Sequence, residues 1–231
     1  SDTNILLHVA ADRSRAYGIS IPRDSLVTRP ACGKDDQIPA EENATWNDAF
    51  TLGKEGCTVE QFEYNTGVRV DGFVTLDFNG FKDMVDAIDG VPICLPFDID
   101  DPEHDIFLKA GEREISGDEA LDYVRVRNVG TGSDLSRITR QQAFIAAMTK
   151  KVSSSGTLAR PDKVLSFLTA ATKSLTISEN MSNLTQLVGI GLSLQDVGLD
   201  KVQFLTVPVA DFPIGDPNWG RVQWTEESEE L

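Results

Sequence analysis

Residues 72–95, GFVTLDFNGFKDMVDAIDGVPICL, decide the fold class of this chain. Gly72–Asp77 alternates apolar and polar side chains, the period of a strand. Asn79–Ile88 then sets Phe81, Met84, Val85 and Ile88 on one helical face. Asp89 and Gly90 turn the chain into a second apolar run, Val91–Leu95. A strand, a helix and a strand in immediate succession form the unit that lays a helix on a sheet face. The expectation is therefore a mixed α/β fold: a central mixed β-sheet flanked by helices, with an apolar cavity between sheet and helices.

The flanking sequence extends this pattern in both directions. Ile5–Ala10 and Ala16–Ile21 are apolar runs around the polar ADRSR of Ala11–Arg15, which predicts a hairpin. The second run stops at Pro22, followed by Arg23 and Asp24. Between Thr28 and Thr58 there is little period, and a long loop carrying a short helix over Thr45–Leu52 is expected, with Thr58–Thr66 as a further short helix ended by Gly67. Asp98–Glu103, DIDDPE, is an acidic loop. Four carboxylates there can hold a divalent cation, but a solvated loop is the commoner outcome and EF-hand spacing is missing. Ser116 caps a short helix, Gly117–Leu121, with Glu119 in the capping-box position. Helices are expected over Gln142–Val152, Arg160–Ser174 and Met181–Leu194, and a closing strand over Val202–Val209. All of this fits one domain spanning residues 1–231.

The most reactive stretch is Ala120–Gln142, ALDYVRVRNVGTGSDLSRITRQQ. Its start reads as a strand presenting Arg125 and Arg127 on one face. After a glycine-bearing break, Ser133 or Asp134 serves as N-cap of a helix whose one face carries Asp134, Arg137 and Gln141, with Arg140 beside it. Guanidinium groups bind phosphate bidentately, and a helix N-terminus favours an anion, so the combination points to a phosphate-rich ligand. Arginines on exposed faces are more often solvated or paired with acids. What singles this stretch out is its basic density in a chain with 37 acidic and 21 basic residues and a formal charge of −16.

That charge excludes nucleic acid as a partner, because such affinity comes from neutralising phosphates along a basic stripe. With 231 residues and 40% hydrophobic composition the chain buries a substantial core, roughly 70% of its unfolded surface. No apolar run is long enough to span a bilayer. Three cysteines allow one disulfide and one buried thiol if the protein is exported. Cys32 with Cys57 is the favoured pair, Cys94 in VPICLPF is the buried thiol, and three reduced cysteines are the alternative.

Several motifs together carry a resemblance: SDT at Ser1–Thr3, SIPRDS at Ser20–Ser25, DFNGFKDMVDAIDGV at Asp77–Val91, YVRVR at Tyr123–Arg127 and GSDLSRITRQQ at Gly132–Gln142. In order and spacing the chain resembles the LytR-CpsA-Psr family of Gram-positive bacteria, and its cysteines and VPICLP resemble the actinobacterial members. The resemblance implies a membrane-anchored, extracytoplasmic phosphotransferase. Such an enzyme moves a glycan phosphate (arabinogalactan, teichoic acid or capsule) from a polyprenyl pyrophosphate carrier to peptidoglycan, with pyrophosphatase side activity. By motif, Arg23, Arg125, Arg127, Asp134 and Arg137 would be catalytic, Arg140 and Gln141 would bind substrate, and Asp2 would hold Mg²⁺. The family's first strand, with a second metal ligand, and the N-terminal membrane anchor would precede Ser1 and are absent from this chain. A module that grips anionic glycan lipid without turning it over is the alternative.

Overall fold

The computed structural model describes residues 3–126, 134–152, 154, 160–181 and 202–230. The chain divides into two compact units, one of residues 1–73, 178–187 and 201–231, the other of residues 74–177 and 188–200.

In the first unit β1 (Asn4–Val9) and β2 (Ala16–Ile21) form the expected antiparallel hairpin, with Asn4 opposite Ile21 and Val9 opposite Ala16. Arg13, at φ 55°, sits in the turn, where its N–H donates to the Ala10 carbonyl at 2.8 Å. β11 (Val202–Thr206) joins the other side of β2 in parallel. Gly18 makes room there, since a Cβ at that position would lie 2.8 Å from the Phe204 ring.

A second sheet has the order β12 (Val209–Asp211), β13 (Val222–Trp224), β3 (Ser25–Arg29), β4 (Glu41–Thr45). β3 runs into the region expected to be loop, and β4 lies within it. Ser25, Val27 and Arg29 are the inward positions of β3, and an inward arginine erases the apolar alternation that marks a strand. The two short helices expected at 45–52 and 58–66 are one element, α1 (Trp46–Thr66), broken at Lys54 by φ 56°, ψ −147°. Gly67 ends it in the left-handed conformation. Trp46 is buried between Phe62, edge-on at 6.4 Å, and Trp224 at 5.8 Å, and Ile21, Val27 and Val207 complete this core. Cys32 and Cys57 are joined by a disulfide with Cα atoms 5.3 Å apart, tying the β3–β4 connection to α1.

In the second unit β5 (Val74–Leu76), α2 (Phe78–Ala87) and β6 (Val91–Leu95) follow one another as the periodicity predicts. Asp77 caps α2, its Oδ1 accepting from the Gly80 N–H at 2.7 Å. The two strands do not share a sheet, however. β5 pairs antiparallel with β10 (Leu175–Ile177), and β6 with β9 (Gly111–Ile115). Periodicity specifies a strand but not its partner, and here both partners come from distant sequence. β7 (Ile99–Asp101) and β8 (Ile106–Leu108) form a hairpin between β6 and β9.

Arg125, expected on a strand, is instead the last residue of a helix, α3 (Gly117–Arg125). Ser116 and Glu119 form the capping box that starts it, and no glycine or proline intervenes to stop it at Leu121. Ala120, Tyr123 and Val124 stand at i, i+3 and i+4, so the same residues that alternate also satisfy a helix. α4 (Asp134–Val152) and α5 (Pro161–Ser174) complete the unit, with α2 packed on α5. Its core brings Val85, Ile88 and Val91 together with Ile115, Tyr123 and Phe144. Cys94 is exposed rather than buried, because Val91 and Leu95 take the inward positions of β6 and Cys94 the outward parity. The helix expected at Met181–Leu194 lies almost wholly outside the described residues. No described helix is long and apolar enough to cross a membrane.

Candidate functional site

The arginine-rich stretch places its described members at the meeting of α3 and α4. Arg125 ends α3, exposed, with its guanidinium 4.7 Å from the centre of the Phe78 ring at the start of α2. That contact holds a flexible side chain against a flat surface while leaving its N–H groups available to a ligand. Arg137 lies one turn into α4 and is almost completely buried, 3% exposed. Arg140, one turn further, donates through Nη2 to the carbonyl of Val126. Gln141 donates through Nε2 to the carbonyl of Val124 at 2.9 Å. Both acceptors are at the C-terminal end of α3, whose last carbonyls have no partner inside the helix.

Two α4 side chains thus cap the preceding helix, and the Arg140 cation suits the negative end of the α3 dipole. Burial holds the Arg140 guanidinium below its ordinary pKa range; Tyr123 opposes this, and the nearby positive charge of Arg137 adds to it. Burial pushes the Tyr123 phenol upward against the pull of Arg140. Asp122, one turn before Val126, is raised by desolvation, with Arg125 pulling the other way. Two arginines one turn apart in a partly desolvated setting form a local positive field that a phosphate would relieve.

Arg23 belongs to the first unit, in the turn between β2 and β3. Its Nε stands 3.4 Å from Asp24 Oδ2, while Asp24 Oδ1 accepts from Arg221 Nη1 at 3.1 Å. Asp24 thus holds two guanidinium groups from opposite ends of the chain. The Arg23 carbonyl also accepts from the Asn47 N–H in the first turn of α1, which fixes the backbone of the turn.

Asp2 and Arg127 lie outside the described residues, and of Asp134 only its place as the first residue of α4 is described. Among the described residues, the groups of three able to share an ion are Asp101 with Glu103 and His104, and the disulfide-bonded Cys32 and Cys57 with Glu60. Neither involves α3 or α4, so the Mg²⁺ assignment rests on Asp2 alone. Sequence reasoning missed Phe78 and Arg221. Phe78 stands inside the DFNGF motif but has no charge to draw attention, and nothing local marks Arg221 as the second partner of Asp24.

Fold and site together define a mixed α/β protein with a basic cluster where one helix ends against the next. The chain belongs to the LytR_cpsA_psr family, whose family model matches residues 1–228. It is 32% identical over 231 residues to the probable cell wall biosynthesis protein LcpB of Corynebacterium glutamicum, covering all of this chain and 51% of that protein. It is 30% identical over 227 residues to TagV of Bacillus subtilis, a polyisoprenyl-teichoic acid–peptidoglycan teichoic acid transferase, covering 94% of this chain and 54% of TagV. This chain therefore spans about half the length of these curated relatives. The crystal structure of B. subtilis TagV superposes with a TM-score of 0.77 at 27% identity, over the whole chain and 85% of that structure. A LytR-Csp2A-Psr enzyme from Actinomyces oris shares the fold, with a TM-score of 0.75 at 19% identity over all of this chain and 83% of that one.

Proposed function

We propose that this chain is the phosphotransferase domain of an extracytoplasmic, membrane-anchored enzyme that moves a glycan phosphate from a polyprenyl pyrophosphate carrier to a peptidoglycan hydroxyl. The glycan is an arabinogalactan, teichoic-acid-like or capsular polymer. The observation that carries this reading is the gathering of Arg125, Arg137 and Arg140 at the α3–α4 junction in a family whose relatives include a teichoic acid transferase.

The acceptor hydroxyl oxygen attacks the phosphorus bearing the glycan, and the bond from that phosphorus to the bridging oxygen breaks. Polyprenyl phosphate leaves, and the hydroxyl proton passes to a base. Arginines suit this task because the charge to be stabilised is spread over phosphoryl oxygens and needs no covalent help from the protein. Arg125, steadied by Phe78, and Arg137, fixed by burial, would bind those oxygens; Arg23 and Arg127 would add contacts to the pyrophosphate. Asp134 would take the proton or orient an arginine. Arg140 and Gln141 would hold α4 on α3 and border the head group. Mg²⁺, held by Asp2, would neutralise further phosphate charge. Water in place of the acceptor gives the pyrophosphatase side reaction.

The test is release of inorganic phosphate from a short prenyl pyrophosphate with Mg²⁺. Arg125→Ala and Arg137→Ala should abolish release, and Arg125, being exposed, can be changed without disturbing the core. Tight binding without turnover by the unaltered protein would overturn the enzyme in favour of a glycan-lipid-binding module.

A further inference from the structure

The turn between β7 and β8 has features that the transferase reading does not use. Asp101 closes β7 with its side chain fully buried, 0% exposed. Its Oδ2 lies 3.1 Å from Nδ1 of His104, while its Oδ1 is buried and has no hydrogen-bond partner among the described residues. A buried carboxylate oxygen without a partner is costly, so a native structure that retains one calls for a cation or a donor. Glu103 reaches the same place: one ligand atom from each of Asp101, Glu103 and His104 lies within 4.8 Å of the others. The turn is shaped to converge them. The His104 N–H donates to the Asp101 carbonyl at 3.2 Å, and Asp105 takes φ 56° to lead into β8.

We propose that Asp101, Glu103 and His104 bind a divalent transition-metal ion of the Zn²⁺ type. Two ligand atoms on a tetrahedral Zn²⁺, each about 2.0–2.1 Å from the metal, stand about 3.3 Å apart. An ion between His104 Nδ1 and Asp101 Oδ2, 3.1 Å apart, would take the place of their hydrogen bond, and chelation by the same carboxylate would give the unpartnered Oδ1 its partner. An imidazole among carboxylates selects Zn²⁺ over Mg²⁺ or Ca²⁺, which prefer all-oxygen shells. Glu103 and His104 are exposed, so the ion enters from solvent and water completes its shell, whereas the buried Asp101 fixes the site to the strand. The bound ion would staple the β7–β8 hairpin and neutralise its buried charge. This site shares no residue with the arginine cluster or with the Mg²⁺ position assigned to Asp2.

The experiment is calorimetric titration of the whole chain with Zn²⁺ alone, and with Co²⁺ as a spectroscopic probe. It compares the unaltered protein with His104→Gln and Glu103→Gln, both at exposed positions. The unaltered protein should bind one ion, gain thermal stability with Zn²⁺ and show the visible absorption of tetrahedral Co²⁺. Each variant should lose at least about tenfold in affinity, since even supporting residues outside the metal's ligand set are worth that much. His104→Gln should also lose the Co²⁺ band while still releasing phosphate from a prenyl pyrophosphate. Absence of binding, or an affinity unchanged in His104→Gln, would overturn the proposal whatever the outcome of the transferase assay.

Discussion

The guanidinium of Arg125 lies over the Phe78 ring at 4.7 Å. One residue ends α3 and the other begins α2, so an aromatic side chain from a separate helix sets where the charge stands. Phe78 is 45% exposed, too open to matter much for stability. Phe78→Ala should therefore cost about 1 kcal/mol or less in denaturant unfolding. Its turnover of a prenyl pyrophosphate should nonetheless fall, with the loss in kcat rather than KM if Arg125 acts on the transition state. Unchanged turnover would separate the ring from the chemistry.

Gln141 offers a second handle, of opposite character. Its amide satisfies the Val124 carbonyl at 2.9 Å from a position only 5% exposed. Gln141→Leu keeps the bulk and removes the donor, leaving a carbonyl without its partner. The expected loss is about 1–3 kcal/mol in chemical denaturation. A variant as stable as the parent would show that water replaces the amide.

Reduction should weaken the first unit. The Cys32–Cys57 bond closes a loop of sequence separation 25, for which restricting the unfolded chain contributes about 3 kcal/mol. Thermal melts with and without a strong reductant, repeated on Cys32→Ser/Cys57→Ser, should show the same drop. Exposed Cys94 should react with a thiol reagent in the folded, unreduced protein, which mass spectrometry would count as a single adduct.

Asp122 supplies a pH dependence with a definite sign. Desolvation raises its carboxyl pKa above the ordinary value of 3.8, so the folded state holds the proton more tightly than the unfolded one. Its contribution to stability is present below that value and is lost as pH rises through the raised folded pKa. Asp122→Asn, which stays neutral, should then be more stable than the parent at neutral pH, and the advantage should vanish in acid. Melting curves at pH 7 and at about pH 3 would check this; equal stability at both would mean solvent screening cancels the effect.

Much of the fold was legible because local signals agreed. The β1–β2 hairpin, the α2 period and the Gly67 stop all depend on neighbours in sequence. Legibility failed where two periods coincided or a charge faced inward. Ala120–Arg125 satisfies both alternation and a helix face, and only the uninterrupted run from the Ser116 box decides it. β3 was hidden by its inward Arg29, and the Lys54 kink made one helix look like two. The pairing of β5 and β6 with separate later strands is a long-range choice that no window of sequence contains. As for the site, residue types drew attention to Arg137, Arg140 and Gln141. That the last two cap α3 could be seen only once α3 was known to be a helix.

The order of strands in the first unit bears on how the protein is made. β2 takes a parallel partner from β11, and β3 takes one from β13, so each of its two sheets joins strands from the two ends of the chain. Neither sheet can close on a ribosome or translocon until residues 202–224 have emerged, whereas the α2–β6–β7–β8–β9–α3 run has its near neighbours beside it from the start. Cutting the chain before Val202 would therefore leave β2 and β3 each without one partner and strip Val207 and Trp224 from the core around Trp46.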